Sequence, residues 1–510
     1  MNQVKNVKKL KLFFLNTLLL IGTSLSIQLI GMFFSVYISN KIGSQAVGVF
    51  GLIMSIYVFF ITIATSGINL TTTKIISEEL AYSNTCQIPK AIKQCLFYSL
   101  CFGVLAGMLL FLAAPFIAGH LLHHKISVNP LYLISITLPF ISMASCINGY
   151  FTAFRKISKT ASARILEQLV KVLATIFLIH LFLPGGLENA CLALVIGDCI
   201  SELSSFLYLF FLYKMDQKKS NHGNNSILDF KKRIFQISLP IATTSYVRSG
   251  LSTLKQILIP LRLEKSGLSC DKALSEYGII NGMAMPVILF PSIVINSFST
   301  LLLPEFSRYY AKKDYAKINI MIGRIFKVTS LFSIFIISLF LLWGKEISKI
   351  LYQNTHIGDF IILFAPLILI MYLDNVVDSI LKGLDAQVSV MLCNVIDLII
   401  TITFIYFVVP ILGIKGYLLS IWISELLNAS ISIFKLWKIT HFKFSFIYLA
   451  KPILAISLSY FCLHFFSFSF SNAILEIGLN IALLGTFYAL FVSIFHLPTF
   501  WLLKVKTSPK

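Results

Sequence analysis

A stretch of apolar sequence near the middle of the chain carries a regular row of polar side chains. Within LPIATTSYVRSGLSTLKQILIPL, the residues Ser245, Arg248, Ser252 and Lys255 follow one another at intervals of three or four. This spacing places all four on one face of a helix. Arginine binds phosphate through paired hydrogen bonds and lysine binds it as a point charge, so the row predicts a site for a ligand's phosphate groups. Alternatively, Arg248 pairs with an acid of another helix and Lys255 extends toward solvent.

Charged residues of both signs lie within two earlier apolar stretches. Glu167 and Lys171 are four residues apart, in the order that favours an ion pair on a helix. Asp198 and Glu202 have the same spacing, and Lys171 is a candidate to neutralise Glu202. We interpret these four residues as structural pairs. Arg164, which precedes Glu167 by one helical turn, is either a further phosphate ligand or a cation of the rim.

The tetrapeptide ISEL occurs twice, at Ile200–Leu203 and at Ile423–Leu426. Its surroundings also match, because FLIHLFLPGG precedes the first copy and TFIYFVVPILG precedes the second. Pro184 and Pro410 therefore end equivalent segments. We interpret the chain as an internal duplication.

The duplication places acidic residues in a region without a matching cation. Counting from the repeats, Glu202 corresponds to Glu425, and Lys171 corresponds to Asp397. Two neighbouring carboxylates share a proton or hold a metal cation. The alternative is that each acid makes a separate helix contact and accepts hydrogen bonds from Ser or Asn. The candidates for a site that couples to H⁺ or Na⁺ are Asp397, Glu425, Asn394 and Asp374.

The elements that must position these residues are membrane-spanning helices. Of 510 residues, 57% are hydrophobic and 12% are charged, and the mean hydropathy is +0.86. Soluble domains carry about 25% charged residues, and the apolar runs exceed the roughly 20 residues that a spanning helix needs. The fold class is therefore an all-α polytopic membrane protein. About fourteen spans are predicted, at residues 12–38, 45–73, 91–118, 131–154, 160–183, 189–213, 234–261, 275–303, 318–343, 358–381, 386–409, 415–437, 446–467 and 473–503.

The distribution of positive charge orients these spans. Most of the 42 Lys and Arg residues fall in alternate loops, which are then cytoplasmic, together with both termini. The predicted domains are a six-helix lobe at 1–213, a linker at 214–233, a second six-helix lobe at 234–437, and two extra helices with a tail at 438–510. Because six is even, the lobes are related by a pseudo-two-fold axis along the membrane normal, as in transporters that bind substrate between their halves.

Several function classes are disfavoured by the same sequence. The nine cysteines form no CxxC pair, so we expect neither a metal site nor a disulfide framework. There is no phosphate loop for ATP, and the longest hydrophilic stretch, residues 213–233, is too short for a catalytic domain. The basic residues are dispersed over short loops, so nucleic acid is not an expected partner. Membrane lipids are expected partners.

Five stretches of the chain resemble one family of membrane proteins. They include IGSQAVGVFGLIMSIYVFFITIATSGINLTTTKIISEE, GYFTAFRKISKTASARILEQLVKV and YLDNVVDSILKGLDAQVSVMLCNVIDLIITITFIYFVVPILGIKGYLLSIWISELLN. The chain resembles the stage V sporulation protein B family, within the multidrug, oligosaccharidyl-lipid and polysaccharide exporter superfamily. It departs from the family at GYFTA and KTA, where GYFQG and PTA are usual.

The resemblance implies two six-helix lobes around a central cavity, with two further helices. It implies a flippase that moves a lipid-linked glycan, such as a peptidoglycan precursor for the spore cortex, by alternating access. Flippases of this superfamily hold cations in the second lobe, and cell-wall synthesis proteins are possible partners. The competing functions are a cation-coupled multidrug antiporter and a non-transporting scaffold of a cell-wall synthesis complex. A membrane-embedded glycosyltransferase would need a larger loop, so no enzymatic activity is expected.

Overall fold

The computed structural model describes residues 2–82, 85–121, 128–218, 230–442, 445–466 and 473–500. Seventeen α-helices and four short 3-10 or π segments account for most of these residues, and no strand occurs among them. The α-helices are α1 (Asn2–Thr65), α2 (Ile68–Ala81), α3 (Ile88–Phe116), α4 (Asn129–Ala153), α5 (Ile157–Phe182), α6 (Leu187–Lys218), α7 (Lys231–Lys265), α8 (Cys270–Tyr277), α9 (Met285–Leu289), α10 (Ser292–Ala311), α11 (Tyr315–Tyr352), α12 (His356–Phe364), α13 (Leu367–Gly383), α14 (Gln387–Leu412), α15 (Ile414–Thr440), α16 (Ile447–Phe466) and α17 (Ala473–Phe500). The all-α fold class is confirmed.

Glycine interrupts the first helices of the chain. Gly43 lies within α1 at φ 79°, a left-handed value that only glycine adopts at little cost, and it separates the first two predicted spans. The second predicted span, residues 45–73, is itself broken, because Ser66 and Gly67 are both left-handed between α1 and α2. The predicted end of this span at residue 73 is therefore wrong, since the helix that begins at Ile68 continues to Ala81.

Two further predicted spans are bent. The segment from α8 to α10 passes through a π-helical stretch, Gly278–Ala284, and bends by 58° near Pro291. A kink at Pro286 or Pro291 is what the sequence predicts. The tenth predicted span bends by 56° between α12 and α13, where Pro366 caps α13. Proline removes a backbone donor and fixes φ, which accounts for both breaks.

The span count agrees with the predicted class. Among the described residues, 10 helices are long and apolar enough to cross a membrane, or up to 12 if each bent pair is one span. One of the ten, Gly22–Ala81, contains two predicted spans that Gly43 separates. The helix α7 is absent from the ten although it is 35 residues long, because its polar row lowers its hydropathy. Fourteen spans are consistent with these numbers, and the exact count stays a prediction.

Packing divides the chain into two compact units. The first comprises residues 1–283 and 398–420, and its core lies among α2, α3, α4 and α6. In this unit α3 and α4 pack closely, since a Cβ atom on Gly103 would lie 2.6 Å from the Cα of Pro139 and one on Gly107 would lie 2.6 Å from the Ser135 carbonyl. The sequence GxxxG at these two glycines predicts such close packing.

The second unit comprises residues 284–397 and 421–510. Within it α11 contacts α12, α13, α16 and α17. The ring of Tyr488 on α17 stacks on Phe335 of α11 at 5.6 Å, and its hydroxyl donates to the Leu331 carbonyl at 2.9 Å. The predicted lobes, 1–213 and 234–437, stay a prediction.

Large apolar side chains remain exposed on the helices. Leu112 is 76% exposed and Ile411 is 80% exposed, and both lie on spanning segments. Contiguous apolar surface of this kind is unfavourable in water but matches the hydrocarbon core of a bilayer. The structure is that of a multi-pass membrane protein.

Candidate functional site

The predicted phosphate row lies on α7, which is held along the second part of α1. Thr253 donates to the Ser55 carbonyl at 2.9 Å, and Thr62 donates to the Ser249 hydroxyl at 3.1 Å. Nearer the start of α7, Tyr246 is hydrogen-bonded to Ser66. These contacts fix the rotation of α7 about its own axis.

The two cations of the row face away from α1. At 100° per residue, Arg248 and Lys255 lie about 140–180° around the helix from Tyr246 and Thr253. Arg248 is exposed, and the other three members of the row are half-buried. The Ser245 hydroxyl donates to the Ile241 carbonyl at 2.9 Å, within its own helix.

Neither cation of the row is neutralised by a neighbour in the described part of the chain. The ion pairs of that part include none formed by Arg248 or Lys255. By contrast, Arg262, nearer the end of α7, stacks on the ring of Tyr406 at 3.5 Å. The row therefore brings together two accessible cations, which can bind an anion without first giving up an internal partner.

One ion pair joins α5 to α6, but its two residues are not the ones expected to pair. Lys171 Nζ lies 2.6 Å from Asp198 Oδ1, so the cation of α5 contacts α6. The expected pairing of Lys171 with Glu167 or with Glu202 is not found among the described residues. Packing of α5 against α6 explains the difference, because it turns the buried Asp198 toward Lys171. Arg164 is exposed on α5.

In the second unit, helix α15 supplies hydrogen-bond donors to two buried acids. The Ser424 hydroxyl lies 2.9 Å and 3.1 Å from the two carboxylate oxygens of Asp397, which is 9% exposed. Asn428 donates to Asp374 Oδ2 at 2.8 Å, and Asp374 is 8% exposed. Each acid thus has its own polar contact, as the alternative interpretation of the sequence expects.

The other two candidates for the coupling site are Asn394 and Glu425. Asn394 donates to the Val390 carbonyl of its own helix at 3.0 Å. Glu425 is half-buried, and together with Asp378 and Asp397 it is an electrostatic neighbour of Asp374. In the part of the chain that the structure describes, no three His, Cys, Asp or Glu side chains are arranged to hold a metal ion.

Sequence reasoning missed the donors on α15. Ser424, Asn428 and Ser432 are spaced by four residues, so they form one polar row along the helix. The hydroxyl of Ser432 is buried and lies beside the carboxylate of Asp374. The signal was present in the repeat itself, since Ser201 and Ser205 occupy the positions of Ser424 and Asn428 in the first copy and are also buried.

Comparisons with known proteins agree with this architecture. The chain is 24% identical to stage V sporulation protein B of Bacillus subtilis (strain 168) over 416 residues, which cover 80% of each chain. It is 24% identical to the lipid II flippase MurJ of the same organism over 426 residues, or 76% of each chain. The structure superposes on an inward closed lipid II flippase MurJ with a TM-score of 0.72 and 14% identity, covering 94% of this chain and 99% of that one. Residues 14–310, more than half of the chain, match the polysaccharide biosynthesis protein family, and the chain belongs to that family.

Proposed function

We propose that the protein is a flippase that moves a lipid-linked glycan across the cell membrane by alternating access. The observation that carries this proposal is the row on α7, where Arg248 and Lys255 are accessible and have no carboxylate partner among the described residues. Two cations on one helix face suit a diphosphate, the group that joins a glycan to its lipid carrier. Ser245 and Ser252 add hydroxyl groups to the same row.

The substrate class is supported by the relatives. One of them is a lipid II flippase and another is a stage V sporulation protein. We therefore infer a peptidoglycan precursor used for spore cortex synthesis as the substrate. The positive-inside pattern supports cytoplasmic termini.

The proposed activity is transport and not catalysis. The longest hydrophilic stretch of the sequence, residues 213–233, is much shorter than a catalytic domain. A cation-coupled multidrug antiporter and a scaffold of a cell-wall synthesis complex are the competing functions. An antiporter for cationic drugs would be disfavoured by the charge of Arg248 and Lys255.

The test is flipping of a fluorescent lipid-linked disaccharide-pentapeptide in proteoliposomes. We expect wild-type protein to flip it, and Arg248→Ala to reduce the rate about tenfold or more, because a charge-assisted hydrogen bond contributes about 1.5–3 kcal/mol. Arg248→Lys should retain part of the activity as a point charge. Lys232→Ala is the matched control, since Lys232 is an exposed cation at the other end of the same helix.

Two results would contradict the proposal at different levels. Full activity of Arg248→Ala would remove the phosphate role of Arg248 and leave the flippase. No flipping by the wild type under imposed Na⁺ and H⁺ gradients of either direction would overturn the flippase and favour the antiporter or the scaffold.

A further inference from the structure

A second basic site lies in the first unit, away from the row on α7. The beginning of α3 and the end of α6 line a cavity of about 620 Å³. This volume lies within the range of small-molecule sites, about 300–1,000 Å³. The residues that line it include Lys90, Lys93, Phe210, Tyr213, Lys214 and Gln217.

The cavity is basic, and its described lining residues include no acid. Lys90 and Lys93 are one helical turn apart on α3, and Lys214 enters from α6. In the described part of the chain neither Lys93 nor Lys214 has an ion pair, and Lys214 Nζ lies 5.5 Å from the ring centre of Phe210. Three cations that share one cavity repel one another, so an anion placed among them is stabilised.

The nearest acid along α6 is already committed to other residues. Asp216 lies 2.6 Å from Lys156 Nζ and 3.0 Å from Lys159 Nζ, and it accepts a hydrogen bond from Tyr150 at 3.0 Å. It therefore joins α6 to the beginning of α5. Because Asp216 is held by two lysines of its own, it is not available to neutralise the cavity.

The surface beside the cavity is apolar and exposed. Phe97 follows Lys93 by one turn on α3 and is 64% exposed, and Phe211 precedes Lys214 by one turn on α6 and is 59% exposed. Both residues lie on spanning segments, where exposed phenyl rings contact lipid chains. Lysines next to such a surface extend their ammonium groups toward the level of the lipid headgroups. The beginning of α3 and the end of α6 are predicted to be cytoplasmic, and the cytoplasmic leaflet is rich in anionic lipid.

We propose that this cavity, lined by Lys90, Lys93 and Lys214, binds the phosphate headgroup of an anionic membrane lipid. The lysines contact the phosphate, Gln217 and Tyr213 offer polar groups, and the acyl chains lie against Phe97 and Phe211. The site does not depend on the proposed flippase function. A soluble phosphate compound shares the same chemistry, and only the neighbouring apolar surface favours the lipid.

The test measures lipid retention by the full-length protein. Native mass spectrometry would count dioleoyl phosphatidylglycerol and dioleoyl phosphatidylcholine bound to wild type and to Lys90→Gln/Lys93→Gln/Lys214→Gln. Each basic residue near an anionic surface contributes a factor of about five, so the triple variant should bind phosphatidylglycerol on the order of 100-fold more weakly. The control is Lys312→Gln/Lys313→Gln/Lys382→Gln, which removes the same charge from exposed lysines elsewhere.

Cys86 provides an independent readout, because it is exposed and lines the cavity. In a Cys101→Ser background, phosphatidylglycerol nanodiscs should slow alkylation of Cys86 by a charged maleimide relative to phosphatidylcholine nanodiscs. Equal phosphatidylglycerol binding by the pocket variant and the control variant would overturn the site. Slowing by soluble glycerol phosphate in phosphatidylcholine nanodiscs, as strong as that by phosphatidylglycerol, would overturn the lipid as the ligand.

Discussion

At the scale of single residues, the ion pair between Lys171 and Asp198 should stabilise the fold measurably. Asp198 is buried, so removal of its partner leaves a carboxylate in an apolar environment. We expect Lys171→Met to lower the free energy of unfolding by about 3 kcal/mol, the low end for a broken buried pair, because 29% of the Lys171 side chain is exposed. Thermal unfolding in detergent would measure the loss.

The double variant Lys171→Met/Asp198→Asn tests the cause. Without the carboxylate, the loss at Lys171 should be largely recovered, since no charge is left buried. Wild-type stability of Lys171→Met alone would show that the pair contributes nothing.

The same pair shows what spacing can and cannot predict. The sequence identifies Glu167, Lys171, Asp198 and Glu202 as structural residues, because charges in an apolar stretch need partners. It does not identify which residues pair. An interval of four favours Glu167 with Lys171 within α5, whereas the rotation of α6 against α5 places Asp198 at 2.6 Å instead. Interhelical rotation depends on packing over the whole helix face, and no single spacing encodes it.

At the scale of elements, a backbone-to-backbone contact joins α1 to α8. A Cβ atom on Gly48 would lie 2.1 Å from the Leu274 carbonyl, and one on Gly278 would lie 2.1 Å from the Ser44 carbonyl. The hydroxyls of Ser44 and Ser275 lie 2.6 Å apart beside these glycines. Contacts between small residues let helices approach closely. In the predicted lobes, 1–213 and 234–437, α1 and α8 belong to different lobes, so alternating access requires this contact at the predicted outer side to open during each cycle.

A reversible crosslink tests that requirement. We expect Ser44→Cys/Ser275→Cys to form a disulfide on oxidation and then to flip the lipid-linked glycan at less than a tenth of its reduced rate, with recovery on reduction. The single variant Ser44→Cys, treated in the same way, is the control. Unchanged flipping by the fully crosslinked protein would mean that α1 and α8 stay together throughout the cycle.

The elements also differ in how well their ends follow from the sequence. Pro286 and Pro291 predict the bend before α10, because proline cannot continue the hydrogen-bond ladder. The break at Ser66 and Gly67 lies within IATSGINLTTT, a stretch that contains no proline and no charged residue to mark it. A glycine in such a run is equally compatible with a helix interior, so only the folded chain distinguishes the two.

At the scale of the whole molecule, the proposed transport needs a source of energy, and the second unit contains a candidate. The sequence has no phosphate loop for ATP. Asp374 is buried and its Oδ2 accepts from Asn428, while its Oδ1 forms no close hydrogen bond in the part of the chain that the structure describes, although the Ser432 hydroxyl lies nearby. A proton or a Na⁺ ion at Oδ1 would satisfy this oxygen, and its electrostatic neighbours Asp378, Asp397 and Glu425 would favour a cation there.

We therefore expect wild-type flipping to respond to an imposed Na⁺ or H⁺ gradient, and Asp374→Asn to remove that response. An amide supplies neither the charge nor the titratable oxygen, yet it keeps a hydrogen-bonding side chain for Asn428. Flipping down a substrate gradient should stay within about twofold of wild type, because its driving force does not involve Asp374. Proteoliposomes with opposite gradients would measure both quantities. Asp385→Asn is the matched control, since Asp385 is exposed and its left-handed backbone accepts asparagine. A gradient response that survives Asp374→Asn would place coupling elsewhere in the chain.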